Sequence, residues 1–140
     1  MSKAFLLSFA LILGMVSSAG ASAIVAKIDL SQQKMRVYKH GELLHVWPVS
    51  TARRGFRTPT GSFRPTRMYR EYYSKKYFDT PMPHSIFFYG GYAIHGTGAI
   101  KSLGRPASHG CIRLHPKNAE ALYSMVRKFG RRNTRIRITR

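Results

Sequence analysis

The chain has 140 residues, with 24 lysines and arginines against 5 aspartates and glutamates, a formal charge of +19, and one cysteine. A single cysteine excludes an internal disulfide, so packing alone must hold the fold. The length suits one compact domain with one modest core, and a balance this positive favours polyanionic partners.

The opening stretch, MSKAFLLSFALILGMVSSAGASA, carries Lys3, an apolar run from Ala4 to Val16, and small residues closing on Ala21-Ser22-Ala23. That is the pattern of a secretory signal peptide cleaved after Ala23, and its apolar run falls short of the roughly 20 residues that span a bilayer. No cysteine lies just after the run, which excludes a lipid-modified N-terminal cysteine. We therefore expect a signal peptide over 1–23 and a single domain over 24–140, secreted to the periplasm or cell envelope with no transmembrane segment after cleavage. Without Lys3 the formal charge falls from +19 to +18. For an exported chain the polyanions within reach are anionic envelope polymers and lipid head groups, not nucleic acid. The arginines are scattered, and the plain reading of the charge is a solvated basic face.

The segment 24–51 alternates apolar and polar residues in short pieces. A strand near 25–30 is expected, then a hairpin of about 34–39 and 42–50 turning at His40-Gly41. Pro48 points to a sheet edge or a strand end. Thr58-Pro59-Thr60-Gly61 reads as a turn before a strand running to about Tyr69. Two prolines and no clear period make 74–85 a surface loop. Two short buried strands split by Gly90-Gly91 should follow, the second ending at His95, and then a glycine-rich loop from Gly96 to Gly104. Pro116 suits a first helical turn. Ala119, Leu122, Tyr123, Val126 and Phe129 then recur at helical spacing, with Gly130 as the stop. The last piece, 134-TRIRIT-139, alternates again. The fold class is mainly β with one substantial helix after the cysteine.

The stretch 107-ASHGCIRLHP-116 holds Cys111 among histidines. Thiol chemistry needs the thiolate, which a nearby histidine, positive charge or helix N-terminus favours. The basic chain, the preceding glycine and the helix expected a few residues on all point that way. Of six histidines, His40 belongs to a turn, His45 sits in a strand with Leu44 and Trp47 as a half-buried structural residue, and His115 closes the helix start. His84 precedes a strand and could line a groove. His95 ends a strand 16 residues before Cys111, far enough for a loop to bring the two side chains together, so it is the expected base, with His109 in an orienting role. Two other readings remain open on chemistry alone. His109, Cys111 and His115 could ligate zinc, although no C-x-x-C or H-E-x-x-H is present and no metal or cofactor is expected. Cys111 could also be a small buried hydrophobe.

The stretch 94-IHGTGAIKSLGRPASHGCIRL-114 resembles the signature of the L,D-transpeptidase catalytic domain family (YkuD-type), a histidine followed by a loop and then S/T-H-G-C. The stretches 28-IDLSQQKMRVY-38, 48-PVSTARRGFRTPTGSF-63 and 81-PMPHSIFFYGGYAIHGT-97 also look like that family, so the resemblance covers nearly all of 24–140. It implies a β-sandwich whose cysteine opens on a groove for peptidoglycan stem peptides. By that resemblance Cys111 attacks the third stem residue, usually meso-diaminopimelate, expels D-alanine and forms a thioester. An amine from another stem or from an envelope protein then resolves it. His95 is the implied base and then acid, its ring held by the Gly96 carbonyl. The amides of Gly110 and Cys111 are the candidate oxyanion donors. Ser108 and His109 match positions that shape the pocket, and Arg113 could hold a substrate carboxylate. With no appended module expected, wall recognition should rest on the catalytic domain and its charge. Resolution of the thioester by water would give an L,D-carboxypeptidase, cutting an existing attachment an amidase, and a non-catalytic basic wall-binding module is the remaining alternative.

Overall fold

The computed structural model describes residues 21–140, so the expected signal peptide lies outside the described residues except for its last three. Alternation governs the first strands. β1 (Ile24–Asp29), β2 (Lys34–Lys39) and β3 (Glu42–Pro48) run antiparallel. Ile24, Ala26 and Ile28 on β1, with Met35 and Val37 on β2, are buried because every second side chain faces the same side. His40 and Gly41, at φ 47° and 82°, make the tight turn between β2 and β3. Pro48 ends β3, an edge strand of its sheet.

The single strand expected up to Tyr69 is two: β4 (Gly61–Phe63) and β5 (Arg67–Tyr69), which belong to different sheets. Pro65 lies between them and has no amide proton to continue a ladder. The stretch expected as loop over 74–85 also differs. It contains a small hairpin in which β6 (Tyr73–Ser74) pairs with β7 (Thr80–Pro81) around a 3-10 turn at Lys75–Tyr77. So short a pairing leaves no alternation to read.

The strands β8 (Ser85–Tyr89) and β9 (Tyr92–Gly96) form the expected pair across Gly90-Gly91. Then come β10 (Ile112–Leu114), α1 (Pro116–Phe129) and β11 (Thr134–Thr139). Pro116 opens α1, the His115 Nδ1 accepts from the Lys117 amide at 3.2 Å, and Gly130 closes it with a backbone bond to Val126. The helix buries Ala119, Leu122, Tyr123 and Val126, the stripe its spacing predicts.

One sheet has the order β3-β2-β1-β11-β4 and the other β10-β9-β8-β5. Ile28 and Ile136 from the first join Ile86, Ile94 and Ile112 from the second, and Leu122 and Val126 from α1, in one buried cluster. This is the expected mainly β sandwich with one substantial helix. β8 is buried on both faces: Ile86 and Phe88 enter that core, while Phe87 joins Met82 and Ala93 in a second cluster. Among the described residues no helix is long and apolar enough to cross a membrane.

Leu122 is 1% exposed, so Leu122→Ala should destabilise the domain by about 2–5 kcal/mol in urea unfolding. Phe78→Ser, at a side chain 99% exposed, should change it by less than about 0.5 kcal/mol.

Candidate active site

Parallel pairing of β10 on β9 decides which side chains meet. The register sets Ile112 beside Ile94 and Arg113 beside His95. Side chains alternate along a strand, so Ile94, Ile112 and Leu114 enter the core while His95 and Arg113 take the opposite face. Cys111, two residues before Arg113, shares that face. The same period runs across the sheet, where Arg67 pairs with Phe87 and Phe87 with Ala93. This outer face floors a groove of about 440 Å³, lined by Cys111, His95, Arg113, His109 and Tyr77 among others.

His95 is only 5% exposed, and its Nδ1 lies 2.7 Å from the Gly96 carbonyl oxygen. A carbonyl only accepts, so Nδ1 carries the proton and Nε2 keeps its lone pair. Burial lowers the pKa of His95 from 6.5 to about 4; the Gly96 bond opposes the shift and the Arg113 charge adds to it. Cys111 moves the other way. Burial pushes its thiol up, against the Ala93 backbone and the Arg113 guanidinium, which both favour the thiolate. Both shifts favour the uncharged forms, a thiol and a neutral imidazole, against the thiolate that the basic composition favours. Desolvation outweighs the positive surroundings.

The turn that presents the cysteine is braced from two sides. Ser108 Oγ donates to the Cys111 carbonyl at 2.6 Å and accepts from the Gly110 amide at 3.0 Å. Thr58 Oγ1 donates to the Gly110 carbonyl at 2.9 Å and accepts from the Ala52 amide at 3.0 Å. Gly110 sits at φ 136°, where a Cβ would fall 2.6 Å from Tyr92 Cε1 and 2.9 Å from the Arg57 carbonyl oxygen. Only glycine fits there. Its amide is engaged by Ser108, which qualifies its expected part as an oxyanion donor. Gly96 is close-packed for another reason: a Cβ would lie 3.1 Å from Pro83 and 3.2 Å from the Pro116 Cα at the start of α1.

The other candidates fall in different places. His109 does not orient His95, whose Nδ1 partner is Gly96. Its ring stacks on Tyr77 at 4.3 Å and meets Phe56 edge-on at 4.7 Å, forming a groove wall. Arg113 is half-buried, donates to the Ala107 carbonyl at 3.4 Å and lines the groove. His84 is outside the set of groove-lining residues and packs edge-on against Tyr123 of α1 at 5.3 Å. His45 is half-buried and stacked on Trp47, and His40 is exposed at its turn. His115 is turned to the Lys117 amide, so it does not converge with His109 and Cys111 as a ligand set. Sequence reasoning missed Thr58, taken only as part of a turn, and Tyr77, which sits in the stretch expected as plain loop.

Fold and groove together define a class: a β-sandwich that offers one thiol and one buried imidazole on the outer face of a sheet. The model of the YkuD family, described as the L,D-transpeptidase catalytic domain, matches residues 23–138. The chain belongs to that family. It is 27% identical over 122 residues to a Bacillus licheniformis protein provisionally named L,D-transpeptidase YkuD, a match covering 80% of this chain and 63% of that one. Among solved structures, an L,D-transpeptidase from Mycobacterium smegmatis aligns with TM-score 0.75 and 23% identity over 84% of this chain and 59% of its own. One from Stackebrandtia nassauensis aligns with TM-score 0.73 and 25% identity over 84% and 56%. L,D-transpeptidase 3 from Mycobacterium tuberculosis, solved in complex with a faropenem-derived adduct, aligns with TM-score 0.73 and 20% identity over 84% and 60%. The chain spans less than two thirds of each of these relatives.

Two outcomes follow from the geometry. Thr58→Val removes the bond to the Gly110 carbonyl and the one from the Ala52 amide and should cost about 1–3 kcal/mol of stability, with a fall in the rate of Cys111 alkylation measured on the folded fraction. For His95, the folded pKa of about 4 lies below the unfolded 6.5. The stability held by the neutral ring is therefore complete above the unfolded value and is lost as pH falls towards the folded one, by roughly 3 kcal/mol. Urea unfolding at neutral and acid pH should show that loss in the wild type and a smaller one in His95→Gln.

Proposed function

We propose that this chain is a peptidoglycan L,D-transpeptidase of the cell envelope that works through a Cys111 thioester. The observation that carries the reading is the fixed tautomer of His95, whose Nδ1 bond to Gly96 leaves Nε2 as an accepting nitrogen in the groove that holds the thiol. His95 Nε2 takes the proton from Cys111 Sγ as the sulfur attacks the carbonyl of the third stem residue, meso-diaminopimelate. The C–N bond to D-alanine then breaks, and His95 returns the proton to the departing amine. An amine of a second stem, or of an envelope protein, loses its proton to His95 and attacks the thioester, and the C–S bond breaks to restore the thiol. With the Gly110 amide engaged by Ser108, the Cys111 amide is the donor we assign to the oxyanion, a contact of a kind worth about 10²–10³ in rate. Arg113 supports the step by favouring the thiolate as it forms.

Membership of the family supports the substrate class, because the family match runs over 23–138. The export signal read over 1–23 and the positive charge of the domain suit an enzyme working among anionic envelope polymers, with no cofactor required.

Incubation with disaccharide-tetrapeptide, followed by mass spectrometry, tests the reading. Cross-linked dimers and released D-alanine are expected from the wild type and nothing from Cys111→Ala, with His95→Gln slowed by about 10²–10⁴. Tripeptide without dimers would mean that water resolves the thioester, and no product from either protein would end the enzyme reading. Activity on intact sacculi should fall as salt shortens the Debye length from about 10 to 3 Å, whereas activity on the soluble fragment should change less.

A further inference from the structure

The groove holds a second arginine that the mechanism does not use. Arg67 on β5 lies in the same cross-sheet row as Phe87 and Ala93, and its guanidinium carbon sits 4.2 Å from the centre of the Phe87 ring. The Cys111 thiol is 3.9 Å from the Gly91 carbonyl and feels the Ala93 backbone, so it stands over β9. Phe87 is on the neighbouring strand, and adjacent strands are about 4.8 Å apart. A guanidinium above Phe87 is therefore on the order of 5–10 Å from the sulfur.

The surface between the two is apolar. Phe87, Met82 and Ala93 form one buried cluster, with Tyr72 and Cys111 packed against it. An arginine stacked on an aromatic ring keeps its planar edge for hydrogen bonding. None of the groove-lining residues is acidic, and Lys75, Lys76 and Arg113 add to the positive charge. The floor thus suits an aliphatic arm leaving the acyl carbon beside the sulfur, and its far end suits an anion.

We infer that Arg67 is a specificity residue: it binds the carboxylate at the end of the aliphatic side chain of the acylating residue, which runs along the groove from Cys111 to the guanidinium stacked on Phe87. A diamino-dicarboxylic residue has that shape and ends in a carboxylate. A lysine in its place ends in an ammonium alone, which Arg67 repels, and an amidated side-chain carboxyl loses the ion pair. The contact belongs to the acyl part, so it persists through both half-reactions, after D-alanine has left.

This rests on the stem-peptide reading above. The test compares kcat/KM for three tetrapeptides, with free meso-diaminopimelate, side-chain-amidated meso-diaminopimelate, or L-lysine in third place, in the wild type, Arg67→Gln and Arg67→Glu. Acylation of Cys111 by faropenem is followed in parallel to count intact sites. The wild type should prefer the free acid by about ten- to hundredfold, the scale of a charge-assisted hydrogen bond. Arg67→Gln should bring that ratio within a few-fold of one, chiefly through KM on the free acid, and Arg67→Glu should invert it towards lysine. A ratio unchanged in Arg67→Gln, or equal losses on all three substrates, would overturn the inference while leaving the transpeptidase reading intact. No turnover of any stem by a site that faropenem still acylates would overturn both.

Discussion

The pairing of β10 along β9 is the constraint from which the rest of the site follows. Because the two strands run parallel with Arg113 beside His95, the period of two sends Cys111, Arg113 and His95 to one face and Ile112, Leu114 and Ile94 into the core. A slip of one residue in β10 would bury the thiol and expose Ile112 and Leu114. The apolar burial that stabilises the sandwich is thus the same interaction that aims the cysteine. The segment before β4 reinforces it: Ser50 exchanges backbone bonds with Arg113, and Thr51 accepts from the Ala107 and Ser108 amides. The cysteine turn is held between two ladders and cannot drift with the loop that precedes it.

Electrostatics then sets the chemistry within that geometry. The large excess of cations favours a thiolate on composition alone, yet burial acts on both groups and shifts each towards its neutral form. Arg113 lowers both pKa values, favouring the thiolate of Cys111 while disfavouring the imidazolium of His95. Acidic residues take no part in orienting the imidazole, because a backbone carbonyl does so at 2.7 Å.

The β2–β3 hairpin and α1 were legible in the sequence because each combines a clear period with a stop: His40-Gly41 for the first, Pro116 and Gly130 for the second. The division of the stretch before Tyr69 into two sheets was not, since Pro65 marks a break without saying where the chain goes next. The 74–81 hairpin escaped because pairings two residues long carry no alternation. In the site, the motif pointed to Cys111, His95 and Gly96. The Thr58 bonds and the His109–Tyr77 stack could not be read there, as each joins segments distant in sequence. Nor could the neutral state of the pair, for the cationic charge is visible in composition and the burial that defeats it is not.

Heteronuclear NMR of the His95 ring across the pH range tests directly whether the Gly96 carbonyl holds a neutral imidazole beside the Cys111 thiol. A single neutral tautomer, protonated at Nδ1, should persist from neutral pH down to a titration near 4. A doubly protonated ring at neutral pH, losing its proton only together with the cysteine, would mean a thiolate–imidazolium pair and would contradict it.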